Sequence, residues 1–293
     1  MTQLLAFLAV LALIGGALLM SGGRGIANAL PFEFALIAGA ALCTLFIANS
    51  VSVARGALSG FVAAARGARW READYLGALA LLHGLFSGVR NGGLVGIDGD
   101  IEAPETSVLF ARAPAVLADA DAEALVCDTF RLLALDFSNP ARAREQLDEA
   151  VDAAVSRRMR AVAALHQVAD ALPALGIVAA VIGIIKTMGA IDQDPAIIGA
   201  MIASALRGTF LGVFLAYGVV GPVASRFGQV VEEEAALLDV LRDGIAAHLS
   251  GMTPRGSVEI ARARIPEAVR PDAQAIDHAL QAARFSRETA QAA

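Results

Sequence analysis

The stretch RNGGLVGIDGDIEAPE, Arg90–Glu105, holds one arginine, four glycines and four acids: Asp98, Asp100, Glu102 and Glu105. Side chains of these types at this spacing suit a metal loop, a phosphate cradle or a charged contact face. Counted as a calcium loop from Asp98, the acids fall at positions 1, 3 and 5. The sixth position, where the loop needs glycine, is Ala103, and the twelfth, where it needs glutamate, is Leu109. A phosphate cradle would need a Walker A sequence or a G-x-G-x-x-G run opening a helix, and the chain has neither. His83, His166, His248 and His278 fit no zinc spacing, and no G-x-S-x-G or Cys/His arrangement occurs. Cys43 and Cys127 lie in apolar and helical patterns and read as packing residues. These observations predict no enzyme, no cofactor and no metal. They leave the stretch as a charged contact face or an ordinary solvated loop.

The elements that would carry this stretch follow from composition. The chain has 293 residues, is 57% hydrophobic and 5% aromatic, and has a mean hydropathy of +0.62, which points to an integral membrane protein. A net charge of −6 removes any general basic footprint for nucleic acid. Four runs reach the length of about 20 residues needed to cross a bilayer. They are Leu4 to Met20, roughly Phe34 to Val53, Leu172 to Ile191, and about Ile197 to Val223. A secretory signal is the rival reading of the first run; MTQ lacks the basic side chain it needs, and a second span follows at once. Arginines gather beside the long segment between spans two and three (Arg55, Arg66, Arg69 and Arg71; Arg157, Arg158 and Arg160), and Arg226 follows span four. Positive-inside counting therefore places that segment and both termini in the cytoplasm. The expected architecture is all-α and polytopic. Residues 1–53 form one transmembrane hairpin, 54–170 a cytoplasmic helical domain, 171–223 a second hairpin, and 224–293 a cytoplasmic helix with a mobile tail.

Periodicity supports helices in the cytoplasmic segments. Tyr75, Leu79, Leu82 and Phe86 recur at helical spacing, as do Val126, Phe130, Leu133 and Phe137. Asn139 with Pro140 reads as the start of a helix that runs unbroken into span three. In the spans, Pro173, Gly176, Ala180 and Gly183 form one small-residue stripe, and Ala205, Gly208, Thr209, Gly212 and Ala216 form another. Such stripes let helices approach closely. No acid is expected inside any span, since Glu33, Asp170 and Asp192 fall at span ends. If the chain moves ions, a partner helix must then supply the carboxylate, with Thr209 able to line the path. Lys186 reads as snorkelling from the outer end of span three. Arg207 sits near mid-bilayer and points about 200° away from Thr209, which suggests a subunit contact or snorkelling.

Taken together, LPALGIVAAVIGIIKTMGAI, RGTFLGVFLAYGVVGPVASRF, RNGGLVGIDGDIEAPETSVLFARAP and IGGALLMSGG resemble the A-subunit family of flagellar motor stators, MotA, within the MotA/TolQ/ExbB proton channel superfamily. The resemblance covers nearly the whole chain. It implies an ion-driven stator in the cell inner membrane, with five A subunits around two B subunits (MotB) whose transmembrane aspartate binds the ion. It also implies contact with the rotor protein FliG. By matching motifs, Arg90 and Asp98 take the rotor-contact positions, Pro173 and Pro222 the coupling prolines, and Ala180 and Thr209 the positions beside the ion path. Three residues depart from the family pattern: Asp98 stands for the usual Glu, Gly99 for a frequently charged residue, and Arg207 for an apolar one. The likeness to proton-driven members favours H⁺ over Na⁺. An ExbB/TolQ-type energiser is the nearest alternative, and a membrane scaffold without ion flow is the other.

Overall fold

The computed structural model describes residues 24–135 and 140–281, with single positions at 5, 9, 10, 12–14 and 16. Most of the first expected span, Phe137, the expected cap Asn139 and residues 282–293 lie outside the described residues. In chain order the helices are α1 (Arg24–Ala48), α2 (Val51–Arg66), α3 (Glu72–Gly92), α4 (Asp98–Glu102), α5 (Pro114–Ala118), α6 (Ala120–Leu135), α7 (Pro140–Met188), α8 (Pro195–Phe214), α9 (Gly221–Leu249) and α10 (Pro254–Arg264). A last helical stretch follows at 273–281, and no strand occurs among the described residues. The chain divides into two compact units, one of residues 1–67 with 158–230 and one of 68–157 with 231–293.

The first unit holds the apolar helices. The 49-residue α7 and the continuous run Pro195–Leu249 are each long and apolar enough to cross a membrane, and Glu33–Ala48 forms a shorter apolar helix. Ile177, Val178, Val181, Ile182 and Ile185 on α7, with Ile202, Leu206 and Phe210 on α8, expose more than two-fifths of their surface. Large side chains exposed in such numbers suit lipid or another subunit and not water. The second expected span is shifted. Its helix ends at Ala48, not Val53, because two polar side chains interrupt the run there. Asn49 Nδ2 donates to Leu45 O at 3.1 Å, and Ser50 Oγ accepts from Val53 N at 3.5 Å as the cap of α2. Hydropathy does not register this break, since both residues are flanked by apolar ones. Gly60 on α2 lies against the Phe227 ring, where a Cβ would come within 2.5 Å.

The second unit is an apolar core built around α3. Tyr75, Leu79, Leu82 and Phe86, the expected apolar stripe, are all buried, and Val126, Phe130 and Leu133 of α6 join them. Arg69 fastens the entry to α3: it donates to Glu234 at 3.0 Å, pairs with the buried Asp119 at 3.3 Å, and stacks on Trp70, whose Nε1 donates to Glu234 O. Residues 252–281 are more ordered than their weak apolar pattern suggests. Thr253 caps α10 through Gly256 N at 3.2 Å, Asp272 accepts from Ala275 N, and Val258, Ala261, Ile265, Ile276 and Leu280 are buried in the same core. A short helix supplying one apolar residue per turn leaves little periodic signal, so its place in the core is a tertiary result.

Candidate functional site

The charged stretch is held from beneath. Arg90 lies in the last turn of α3, which ends where Gly93 N donates to Val89 O with φ near +65°, a conformation that favours glycine. The chain then turns back in a 3-10 turn, Leu94–Ile97, so closely that a Cβ on Gly96 would lie 3.0 Å from Gly88 O. Ile97 and Ile101 are buried in the core, whereas Arg90 and Asp98 are exposed. The glycines therefore make this a tight surface and not a slack loop.

The four acids separate by role. Asp100 accepts from Ser107 Oγ at 2.6 Å, and that same oxygen accepts from the backbone of Leu109 and Phe110. Glu102 pairs with Arg131 at 2.9 Å, and Arg131 also pairs with Asp128 and donates to Ile101 O. Asp98 and Glu105 are exposed and have no hydrogen-bond or ionic partner among the described residues, and the same holds for Arg90. Beside Asp98 runs a groove of about 280 Å³ lined by Leu94, Ile97, Ile101, Phe130 and Arg131. The surface thus offers unpaired charge of both signs on a rigid base. Among the described residues no three His, Cys, Asp or Glu side chains converge as a metal site would require.

The apolar helices carry the second set of residues. The two small-residue stripes meet: a Cβ on Gly176 would lie 2.8 Å from Gly208 O, and one on Gly212 would lie 2.6 Å from Leu172 O and 2.9 Å from Gly176 Cα. Helices α7 and α8 therefore touch backbone to backbone, a contact that glycine alone permits. Ala180 is buried and its backbone N lies 3.5 Å from where a Gly208 Cβ would sit, while the next residue, Thr209, is half-buried. Pro173 stands inside α7 and leaves Ala169 O without its usual donor four residues on. Pro222 has a different effect. The ladder widens before it into a π turn, Leu215–Val220, in which Gly221 N donates to Ala216 O. Proline has no N–H for the carbonyl four residues back, so a wider turn ahead of it relieves the mismatch. Hydropathy shows only one continuous apolar run here; the sequence signal that accompanies the π turn is Gly218, Gly221 and Pro222.

A further cluster involves α1. Glu33, expected at a span end, is the first residue of the apolar stretch Glu33–Ala48 of that helix and is nine-tenths buried. Its Oε1 accepts from Ser204 Oγ at 3.0 Å and lies 3.5 Å from Arg207 Nε on α8. Arg207, expected at a subunit contact or snorkelling, is thus paired within its own chain, its side chain only 17% exposed. A centred arginine costs about 2.5–3.5 kcal/mol on insertion scales, which explains why it takes a carboxylate when one is in reach. No local pattern in the sequence links Glu33 to Arg207, because the two sit on different helices. Lys186, in the last turn of α7, is exposed as expected.

Fold and site together define a polytopic α-helical membrane protein whose apolar helices pack through glycine, with a separate charged helical unit built from two stretches of the chain. Comparison with known proteins narrows this class. Residues 4–93 match the Motility protein A N-terminal family model, and residues 118–239 match the MotA/TolQ/ExbB proton channel family. The chain is 34% identical to Motility protein A of Escherichia coli (strain K12), an alignment covering 92% of each protein. It is 31% identical to Motility protein A of Salmonella typhimurium, covering 97% of this chain and 96% of that one. Its fold is similar to that in a structure of C. jejuni MotAB, with a TM-score of 0.70 and 14% identity over 93% of this chain and 98% of that chain. The chain belongs to the motility protein A family.

Proposed function

We propose that this protein is the A subunit of a flagellar motor stator in the cell inner membrane, converting proton flow into torque for swimming. The observation that carries this reading is the α7–α8 seam. It sets Ala180 and Thr209 beside a close helix contact, while the one carboxylate in the described apolar stretches of α1, α7 and α8 is already paired to Arg207. A cation crossing beside these helices needs a carboxylate from another chain. A B subunit of the MotB type, with an aspartate in its single span, supplies one, and five copies of this chain around two B subunits form the assembly. In this reading the chain spans the membrane four times, both termini and the unit bearing Arg90 and Asp98 lie in the cytoplasm, and those charges meet the rotor protein FliG. Pro173 and Pro222 couple ion passage to movement of that unit.

The deciding experiment measures swimming speed in a stator-deletion strain carrying this chain and its B partner, with the proton and sodium gradients varied independently. Speed should follow the proton gradient. Dependence on sodium would overturn the choice of ion, and no restored swimming would overturn the stator reading.

A further inference from the structure

Arg207, Gly208 and Thr209 are consecutive, so their side-chain directions differ by about 100° per step around α8. Each faces different surroundings. Arg207 reaches Glu33 on α1, and Gly208 touches Ala179 and Ala180 on α7. Thr209 takes the third direction, the one assigned above to the ion path. A permanent positive charge therefore sits two residues from that path. Arginine cannot shed its proton, and fixed cationic side chains in pores exclude cations. Glu33 is the counter-charge. Its pairing with Arg207 is ionic without a well-formed hydrogen bond, since neither Arg207 Nε nor Glu33 Oε2 has a hydrogen-bond partner. Ser204 holds the carboxylate in place through Oε1. An aligned, saturated salt bridge would suit a purely structural clasp; here the charges balance while the geometry is left incomplete.

We infer that Glu33 is a positioning and charge-balancing residue for cation passage. Oriented by Ser204, it cancels the field of Arg207 so that the path beside Thr209 stays open to a cation, and it ties α1 to α8 at that level. The inference rests on the reading of Ala180 and Thr209 as path-lining. The carboxylate acts by its charge and carries no translocated proton itself.

The test reads proton flux into cells or vesicles from the complex of this chain with its B partner, alongside the thermal stability of the purified complex. Glu33→Gln leaves Arg207 uncompensated and should cut flux about tenfold or more, the factor a unit charge about 10 Å away gives at an effective dielectric of about 20. Arg207→Leu should do less harm, because a lone carboxyl has a neutral form open to it and a guanidinium has none. The double variant Glu33→Gln/Arg207→Leu should recover most of the flux lost in Glu33→Gln alone, and so should the exchange Glu33→Arg/Arg207→Glu. Equal losses in both single variants, or no recovery in the double variant, would overturn the charge-balancing role. Recovery of thermal stability without recovery of flux would reduce the pair to a clasp and overturn it equally. If the unaltered complex carries no protons, the stator reading fails on its own; the pairing is then judged by stability, where a double variant no more stable than Glu33→Gln would overturn it.

Discussion

At the scale of single residues, the separation of used from unused charge is the informative result. Asp100 and Glu102 are engaged within the stretch and its neighbours, whereas Arg90 and Asp98 face outward without partners. Arg90→Glu should therefore abolish or severely reduce swimming while leaving protein level and thermal stability unchanged, checked by tracking cells and by immunoblotting of membranes. Asp100→Ala should do the opposite, lowering stability by about 1–2 kcal/mol through loss of a charge-assisted hydrogen bond, read from thermal unfolding in detergent. A different residue makes the second unit sensitive to acid. The His248 ring stacks on Phe86 at 4.3 Å, and burial lowers its pKa. The folded protein thus binds this proton less readily than the unfolded chain, whose histidine titrates near 6.5. The contribution of neutral His248 to stability is complete above about pH 6.5 and is eroded as pH falls from there toward the lower folded value. His248→Phe, which keeps a stacked ring, should flatten the melting temperature between pH 7.5 and 5.5. Cys127 fits its reading as a packing residue, since burial holds its thiol up at about 11.

At the scale of elements, the helices differ in how they tolerate change. Gly212 has no room, whereas Gly199 on the same helix meets nothing within 4 Å. Gly212→Ala should push α7 and α8 apart and cost about 1–3 kcal/mol, while Gly199→Ala should be neutral or slightly stabilising. Thermal unfolding of the two variants side by side checks this. Pro173→Ala restores a donor to Ala169 O and completes a hydrogen-bond ladder that proline leaves open. It should leave assembly with the B subunit intact and reduce torque, measured as rotation speed of tethered cells under load. The boundaries of these elements were legible where a side chain announces them, as at Pro140. They were not legible at Asn49–Ser50, where the caps lie inside an apolar run, nor at Leu215–Val220, where no propensity distinguishes a π turn from an α turn.

At the scale of the whole molecule, the chain passes between the two units three times, once between Gly67 and Ala68, once within α7 and once within α9. Two of these crossings thus lie within helices and not in loops. The apolar runs, the arginine asymmetry, the small-residue stripes and the core positions of α3 and α6 all follow from the sequence by itself. Each depends on composition or a short period, which hydropathy and helix geometry read without a partner. Three features were decided by tertiary structure alone: the burial of Glu33 against Ser204 and Arg207, the anchoring of 254–281 in the core, and the division of four neighbouring acids into two engaged and two without partners. These depend on residues as far as 171 positions apart in sequence coming within hydrogen-bond reach, and no local pattern records which distant side chain a charge will meet.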